Sequence, residues 1–295
     1  MRLFIVDAFT EEVFGGNPAG VVLLDSGSKF PDEEIMQKTA AELRYSETVF
    51  IKPETNNLLH LRYFTQYAEV DFCGHATIGA FTALLKAGLV VSDSSYLIHT
   101  LSGDLTITMD GDSVLMEMPP SKLIKHITSR AETDELCKSL GIKWEPITAN
   151  GQNLLPIYIS TGFPDIILPV KSRDVLASID PDYKYLSALS KKHEVGGVHV
   201  FTLDAPEGIT ACCRNFAPLY RIHEEAATGT ANGGLTYYLH IHGLAPPGYN
   251  CCFLQGEAMG RPSKIITSID IKDDKPVIKV GGKGAILADG KIYLG

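Results

Sequence analysis

Two glycine-containing turns, each leading into an almost uncharged helix, are the parts of this sequence best suited to hold a ligand. The first is Cys73-Gly74-His75, after which we predict a helix from about Ala76 to Lys86 with Lys86 as its one charge. A helix that is apolar on every side is predicted to be buried. Its first N–H groups then need acceptors, because Cys73 and Gly74 are not capping residues. The carboxylate of a ligand would supply one, since a helix N-terminus presents donors and positive potential.

A second turn with the same surroundings occurs about 150 residues later, at Thr228-Gly229-Thr230. It begins a segment that has no Lys, Arg, Asp or Glu between Ala226 and Leu244. Both turns follow an Arg-x-Phe motif, at Arg62 and Arg214, and a short acidic stretch. This repeat predicts two lobes built alike, with two helix N-termini facing one cleft. Chance similarity between two core helices is the alternative that composition leaves open.

Glu47 is the first candidate for acid–base chemistry. We predict a strand from Tyr45 to Ile51, on which Glu47 shares a face with Val49 and Ile51. A carboxylate on a buried face is costly unless it is paired or functional, and burial would raise its pKa into the range useful for proton transfer. The alternative places Glu47 in water at the mouth of the strand.

Asn17 is a candidate for ligand binding because Gly15 and Gly16 precede it and let the backbone approach another molecule. Its amide would then contact the ligand. A tight turn before Pro18 is the simpler interpretation of the same residues.

Composition limits the classes of function. A chain of 295 residues fits one large domain or two of ordinary size, and the repeat favours two. The formal charge of −9 argues against nucleic acid as a partner, because that needs a basic face. The apolar runs are too short for a membrane span, and the N-terminus lacks a signal-peptide pattern. We therefore expect a cytoplasmic protein whose partner is a small anionic metabolite.

The six cysteines favour thiol packing over metal chemistry. None has C-x-x-C spacing, which argues against a zinc site and against thioredoxin-like chemistry. His240 and His242 face different directions on a helix and form a poor metal site. We predict reduced, mostly buried thiols, with Cys73 as the exception, and no metal.

The order of the predicted elements indicates a mixed α/β (α+β) fold. Strands alternate with few helices, and these helices are either very apolar or strongly amphipathic. One amphipathic helix follows Asp32 and should pack outside the sheet. Two curved sheets, each wrapped around its own central helix, would satisfy this pattern. Pro119-Pro120 marks the predicted crossing between the lobes, which gives a first lobe of 1–118 and a second that begins at 119.

Seven short motifs occur in order between residues 7 and 263. They are Asp7-Ala8-Phe9, Phe14 with Gly16-Asn17-Pro18-Ala19, Ser46-Glu47-Thr48-x-Phe50, Arg62-x-Phe64-Thr65, Glu69-Val70 with Cys73-Gly74-His75-Ala76-Thr77, Ala227-Thr228-Gly229, and Gln255-Gly256-Glu257-x-Met259-Gly260-Arg261-Pro262-Ser263. Together they resemble the motifs of the PhzF family, the phenazine-biosynthesis-like proteins. The resemblance covers nearly the whole chain.

The resemblance implies the diaminopimelate-epimerase-like fold. In that fold two similar domains each roll a curved, mostly antiparallel sheet around a central helix, and the active site lies in the cleft between them. The last strand returns to the first domain, so the implied lobes are 1–118 with about 285–295, and 119–284. The resemblance also implies a homodimer.

The activity implied by the resemblance is a cofactor-free isomerisation of trans-2,3-dihydro-3-hydroxyanthranilate. In it a glutamate at the position of Glu47 moves a proton, with partners at the positions of His75 and Glu225. Its ligand-binding positions fall on Asn17, Gly74, Gly229 and Thr230. We add Ser46 and Cys73 as candidate binding residues because they belong to the same motifs.

The sequence departs from the family pattern at three places. It has Glu225-Ala226 where Asp-Pro is usual, Gln66 where Pro is usual, and Thr230 where Ser is usual. Glu in place of Asp adds a methylene, which shifts the acid by about 1 Å and bears on catalysis. These changes bear on which substrate binds, and they leave the predicted proton-transfer site intact.

Two other functions are open at this point. A two-thiol epimerase or racemase would use Cys73, but the matching position in the second half is Thr228, whose hydroxyl is a weak base. A small-molecule-binding protein without turnover would have the same motifs, because motifs describe a site and not a rate.

Overall fold

The computed structural model describes residues 1–55, 57–162, 164–220 and 222–294, and it divides between two units. Unit 1 contains Met1–Glu117 and the described residues from Gly281 onward, and unit 2 contains Met118–Val280. The sequence places these boundaries at 118 and about 285, and its last residue, Gly295, lies outside the described residues. None of the helices among the described residues has the length and apolar character needed to cross a membrane.

Unit 1 combines strands with two helices and receives the end of the chain. Its elements are β1 (Arg2–Ala8), β2 (Asn17–Leu23), α1 (Glu33–Leu43), β3 (Thr48–Thr55), β4 (Leu58–Phe64), β5 (Glu69–Val70), α2 (Gly74–Lys86), β6 (Ser95–Thr100), β7 (Gly103–Asp110) and β8 (Ser113–Glu117).

Unit 2 has more helices on the outside of its strands. Its elements are β9 (Lys122–His126), α3 (Arg130–Ser139), β10 (Ile147–Ala149), β11 (Gln152–Leu154), β12 (Ile157–Ser160), β13 (Pro164–Pro169), α4 (Arg173–Ala177), α5 (Tyr183–His193), β14 (Val198–Thr202), β15 (Ala211–Ala217), β16 (Ile222–Glu225), α6 (Gly229–Ile241), β17 (Tyr249–Gln255) and β18 (Ser263–Lys272). Strand β19 (Lys275–Gly282) ends in unit 1, and β20 (Gly284–Lys291) lies in it.

Helix α2 is the centre of unit 1. Nine of its 13 residues are buried, as its composition predicts. It packs against β1, β2, β3, β8 and β20. Strand β20 pairs antiparallel with β1, and β1 pairs antiparallel with β2. The sheet is mostly antiparallel, with parallel contacts at β2–β3 and β4–β6.

Helix α6 has the same position in unit 2. Eight of its 13 residues are buried, and it packs against β12, β13 and β18. Antiparallel pairs again dominate, with parallel contacts at β13–β14 and β15–β17. Helices α3, α4 and α5 contribute Leu136, Leu176 and Leu186 to a separate apolar core outside these strands. Apart from β10 and β11, the described strands of both units belong to one 18-stranded sheet, and the mixed α/β fold with one central helix in each unit is confirmed.

Neither central helix has a side-chain cap. The N-cap residues are Cys73 for α2 and Thr228 for α6, and neither makes a side-chain capping hydrogen bond. Helix α2 begins at Gly74, two residues before the predicted start. The turn residues are therefore part of the first helical turn, where backbone N–H groups lack intrahelical partners.

The predicted start of β3 is wrong, and with it the argument from alternating faces. The strand begins at Thr48, so Glu47 precedes it. Its first four residues, 48–51, are all buried, because α2 packs on β3 and helix α1 places Met36 and Ala40 against Phe50. A strand covered on both faces shows no alternation that could assign Glu47 to an inner side.

The repeated Arg-x-Phe motif forms the same contact in both units. Arg62 of β4 binds Glu69 of β5 through Nε and Nη2, at 2.7 and 2.6 Å. Arg214 of β15 binds Glu224 of β16 in the same bidentate way, at 2.8 and 2.7 Å. Each guanidinium also lies over the phenylalanine two residues later. The two ion pairs hold the short strands that lead to the turns.

The two ion pairs differ in burial, so breaking them should lower the stability of the protein by different amounts. The Arg214 and Glu224 side chains are each 10% exposed, and Arg214 Nη1 also donates to the carbonyls of Leu176 and Ile179. Arg62 is more exposed and has a second carboxylate partner, Glu33.

Arg214→Met should therefore destabilise the protein by about 3–5 kcal/mol, because it leaves a buried carboxylate without its partner. Arg62→Met should cost less. Arg173→Met, which breaks the exposed pair with Glu257, is the control and should cost at most about 1 kcal/mol. Thermal and chemical denaturation measure the order, and an equal or larger loss for Arg62→Met would contradict it.

Candidate active site

Four of the predicted site residues of unit 1 lie together at the start of α2. His75 Nε2 lies 3.1 Å from Glu47 Oε2 and 3.2 Å from Ser46 Oγ. The other ring nitrogen, Nδ1, lies 3.3 Å from Cys73 Sγ. His75 is buried, whereas the Glu47 side chain is 20% exposed. The cluster therefore joins a carboxylate, an imidazole, a thiol and a hydroxyl, and the glutamate side chain is partly exposed.

Glu47 is ionised more readily than burial alone would allow. Burial is the largest influence and raises the pKa of Glu47. The hydrogen bond and charge of His75, helped by Ser46 and Cys73, outweigh it, so the pKa lies below its ordinary value. The expected raised pKa is thus wrong, because that expectation included the desolvation of Glu47 but not its neighbours.

The histidine shows the opposite shift. Burial lowers the pKa of His75, but contacts with Cys73 and Glu47 overcome it and leave the pKa well above its ordinary value. The pKa of Cys73 is raised, chiefly by burial and against the effect of His75. The arrangement therefore favours a carboxylate, an imidazolium and a neutral thiol. Glu47 Oε2 is itself buried, and its contact with His75 Nε2 at 3.1 Å is an ion pair and not a hydrogen bond of good geometry.

The other two candidate residues of unit 1 belong to the elements that enclose this cluster. Asn17 is buried at the start of β2, opposite Ala8 of β1. Gly74 is the first residue of α2, and a Cβ there would contact only Met116 Sδ at 3.7 Å. Packing against the described residues therefore does not require glycine at 74, whereas a ligand held by the first N–H groups of α2 would benefit from the open space.

The predicted site residue Glu225 of unit 2 is hydrogen-bonded through Thr228. Thr228 Oγ1 donates to Glu225 Oε2 at 2.6 Å, and it accepts from Gln255 Nε2 at 3.1 Å. Because an amide nitrogen can only donate, the threonine proton is directed to the carboxylate. Asn215 Nδ2 reaches the same oxygen at 3.4 Å. Glu225 Oε2 is therefore held as an acceptor.

Both polar atoms of the Gln255 side-chain amide form hydrogen bonds to this turn. Its Nε2 also donates to the backbone carbonyl of Glu225 at 2.8 Å, and its Oε1 accepts from the Thr228 N–H and from Asn232 Nδ2. The side chain is fully buried. The next residue, Gly256, has φ +84°, and a Cβ there would lie 2.6 Å from the carbonyl oxygen of Ala226. Glycine is required at 256 for this close approach.

Residues behind Glu225 were not predicted from the sequence. His199 is fully buried and contacts Asn215 Oδ1 through Nδ1 at 3.2 Å, and burial lowers its pKa to about 4. Burial, with the charge of Glu225 adding to it, raises the pKa of Asp165 to about 7, although the backbone of Gly197 opposes this. Asn215 is the middle residue of the second Arg-x-Phe motif, so the repeat could have indicated it as a site residue. The sequence around His199 and Asp165 contains no motif that would indicate either residue.

The last two candidates, Gly229 and Thr230, begin α6. Gly229 is its first residue and is partly buried. Thr230 is exposed, and its backbone carbonyl accepts from Thr161 Oγ1 at 3.1 Å. In unit 2 the structure thus brings Glu225 together with Thr228, and it places Gly229 and Thr230 in the helical turn that follows.

Known proteins similar to this chain cover nearly all of it. An uncharacterized isomerase of Clostridium acetobutylicum is 32% identical over 99% of this chain and 98% of its own length. The trans-2,3-dihydro-3-hydroxyanthranilate isomerase of Pseudomonas aeruginosa is 29% identical over 99% of both chains. A crystal structure of a PhzF-family phenazine biosynthesis protein from Bacillus anthracis superposes with a TM-score of 0.86, at 27% identity over 99% of each chain.

The family model of phenazine biosynthesis-like proteins matches residues 6–290, which includes every candidate site residue named above. The match agrees with the resemblance that the seven motifs carry. This chain belongs to the PhzC-PhzF family of phenazine biosynthesis-like proteins.

Proposed function

We propose that this protein is a cofactor-independent isomerase that moves a proton on a small conjugated carboxylate similar to trans-2,3-dihydro-3-hydroxyanthranilate. The contact between Glu47 and His75 carries the proposal, since it keeps a mostly buried carboxylate ionised beside an imidazolium. The names of similar proteins support the same class of reaction.

In the proposed mechanism Glu47 removes a proton from carbon and returns it elsewhere on the conjugated system. A carboxylate with a lowered pKa is a weak base, so the C–H bond must be acidified by conjugation in the substrate. The imidazolium of His75, beside Glu47, stabilises the delocalised anion that forms. The N–H groups at the start of α2 serve the same purpose as preorganised donors and bind the carboxylate of the substrate.

Glu225 is proposed to accept a hydrogen bond from a hydroxyl or amine of the substrate. Its Oε2 is already an acceptor for Thr228, so the carboxylate suits a donor better than another acceptor. Gln255 fixes the direction of the Thr228 hydroxyl and with it the position of Glu225.

The racemase alternative has less support. It needs a thiolate, whereas burial raises the pKa of Cys73 and favours the neutral thiol. At the matching position, Thr228 donates its proton to Glu225. Both observations favour the proton shift by Glu47.

Glu47→Gln should abolish exchange of deuterium from solvent into trans-2,3-dihydro-3-hydroxyanthranilate, because an amide cannot take the proton. NMR of the substrate in deuterated water measures the exchange. Glu54→Gln is the matched control, since it makes the same change on β3 at an exposed carboxylate paired with Lys52. Full exchange in Glu47→Gln would refute the assignment, and Glu54→Gln should retain exchange.

The midpoint of the acid limb of the exchange rate should lie below pH 4.5, because the pKa of Glu47 lies below that ordinary value and the active form is the carboxylate. In His75→Asn the two largest interactions that lower the pKa, both from His75, are lost while burial remains. The acid limb should therefore move to higher pH. A pH–rate profile tests this, and a carbon NMR titration of the Glu47 carboxyl tests it without turnover. An unmoved titration would contradict the proposed role of His75.

Thr228→Val should reduce exchange by about 10–100-fold, because a hydrogen bond to a charged group contributes roughly 1.5–3 kcal/mol. Thr228→Ser retains the hydroxyl and should restore most of the rate. The effect should appear in kcat more than in KM, since the substrate does not lose a direct contact. Equal losses in both variants would show that the methyl group, not the hydrogen bond, matters.

A further inference from the structure

Three ligand types that bind zinc in proteins lie together in unit 1. One ligand atom each of Glu47, Cys73 and His75 lies within 4.8 Å of the other two. These are a carboxylate oxygen, a thiol sulfur and an imidazole nitrogen. The cluster forms although no two cysteines have metal-binding spacing, because its ligands come from two separate segments of the chain.

The separations suit a tetrahedral ion. Bond lengths of about 2.0–2.3 Å place neighbouring ligand atoms about 3.3–3.7 Å apart around zinc. With Nε2 as the imidazole ligand, the observed distances are 3.1 Å to Glu47 Oε2 and 3.9 Å to Cys73 Sγ, and all three ligand atoms lie within 4.8 Å of one another. Small movements of the Glu47 and Cys73 side chains would therefore complete a three-ligand site.

Two of the three ligand side chains are partly exposed. The Glu47 side chain is 20% exposed, although its Oε2 is buried against His75 and makes no hydrogen bond of good geometry among the described residues. Cys73 is one of two partly exposed cysteines; the other, Cys252, lies in β17 of unit 2. A dissolved ion would enter along the exposed parts of Glu47 and Cys73 and replace the contact between Glu47 Oε2 and His75.

We propose that Glu47, Cys73 and His75 form an inhibitory site for Zn²⁺ or a similar thiophilic cation, with water as the fourth ligand. On binding, the thiol releases its proton to solvent, and any second proton on the imidazole is released as well. The ion then occupies the carboxylate oxygen that the proposed isomerase needs as a base. The inhibition rests on the proposed function, whereas the binding does not.

The ligand set predicts selectivity. Thiolate and imidazole favour Zn²⁺ and Co²⁺, whereas Mg²⁺ and Ca²⁺ require oxygen ligands. The site should therefore ignore Mg²⁺ and Ca²⁺ at concentrations where Zn²⁺ binds. Cys73 is the residue that confers this preference.

Cobalt spectroscopy of the full chain, stripped of metal with EDTA, tests the binding. Co²⁺ should produce a thiolate charge-transfer band in the wild type and in Cys252→Ser, and Zn²⁺ should remove it. The band should be absent in Cys73→Ser, and Zn²⁺ affinity should fall at least tenfold, since loss of an outer-shell partner alone costs about 10–100-fold. No band in the wild type, or a band unchanged in Cys73→Ser, would overturn the site.

The inhibition is tested separately on deuterium exchange. Zn²⁺ at saturation should stop exchange in the wild type, EDTA should restore it, and Mg²⁺ should have no effect. Exchange that continues with the site filled would overturn the inhibitory role. Metal binding without exchange in the untreated protein would instead count against the proposed function alone, so the two failures are distinguishable.

Discussion

Both units depend on the burial of a helix that carries almost no charge. Helices α2 and α6 are enclosed by strands on several sides, and together they bury 17 of their 26 residues. Neither helix has a side-chain cap at its start. The first turns, at Cys73 and Thr228, therefore have backbone N–H groups without intrahelical partners, and the candidate reactive side chains lie beside them.

The two units share a scaffold and differ in the chemistry placed on it. Bidentate pairs, Arg62 with Glu69 and Arg214 with Glu224, hold the strand before each turn. This contact explains why the same order of residues recurs in the sequence. The turn in unit 1 then presents a thiol and a histidine, whereas the turn in unit 2 presents a threonine tied to Glu225. The same ion pair thus precedes two turns that carry different functional groups.

Competition between burial and pairing decides the ionisation of the candidate groups. At Glu47, contacts with His75 outweigh desolvation and keep the carboxylate charged. At Asp165, desolvation prevails and the carboxyl titrates at about 7. At His199 the neighbouring hydrogen-bonding groups are the amides of Asn215 and Asn232, and burial lowers its pKa to about 4. The same low-polarity interior therefore gives opposite results according to the neighbours of each group.

The sequence by itself determined the central helices, the repeat and most of the candidate residues, because apolar composition and turn residues are local properties that the chain carries anywhere. It also determined the family, through motifs spread over the chain. Only the tertiary structure decided the ionisation of Glu47 and the role of Gln255. Both properties depend on partners that are distant in the chain. His75 lies 29 positions from Ser46, the residue before Glu47, and Gln255 lies 30 positions from Glu225. An electrostatic or hydrogen-bonding effect falls off over a few ångströms in space, and distance along the chain does not report that separation.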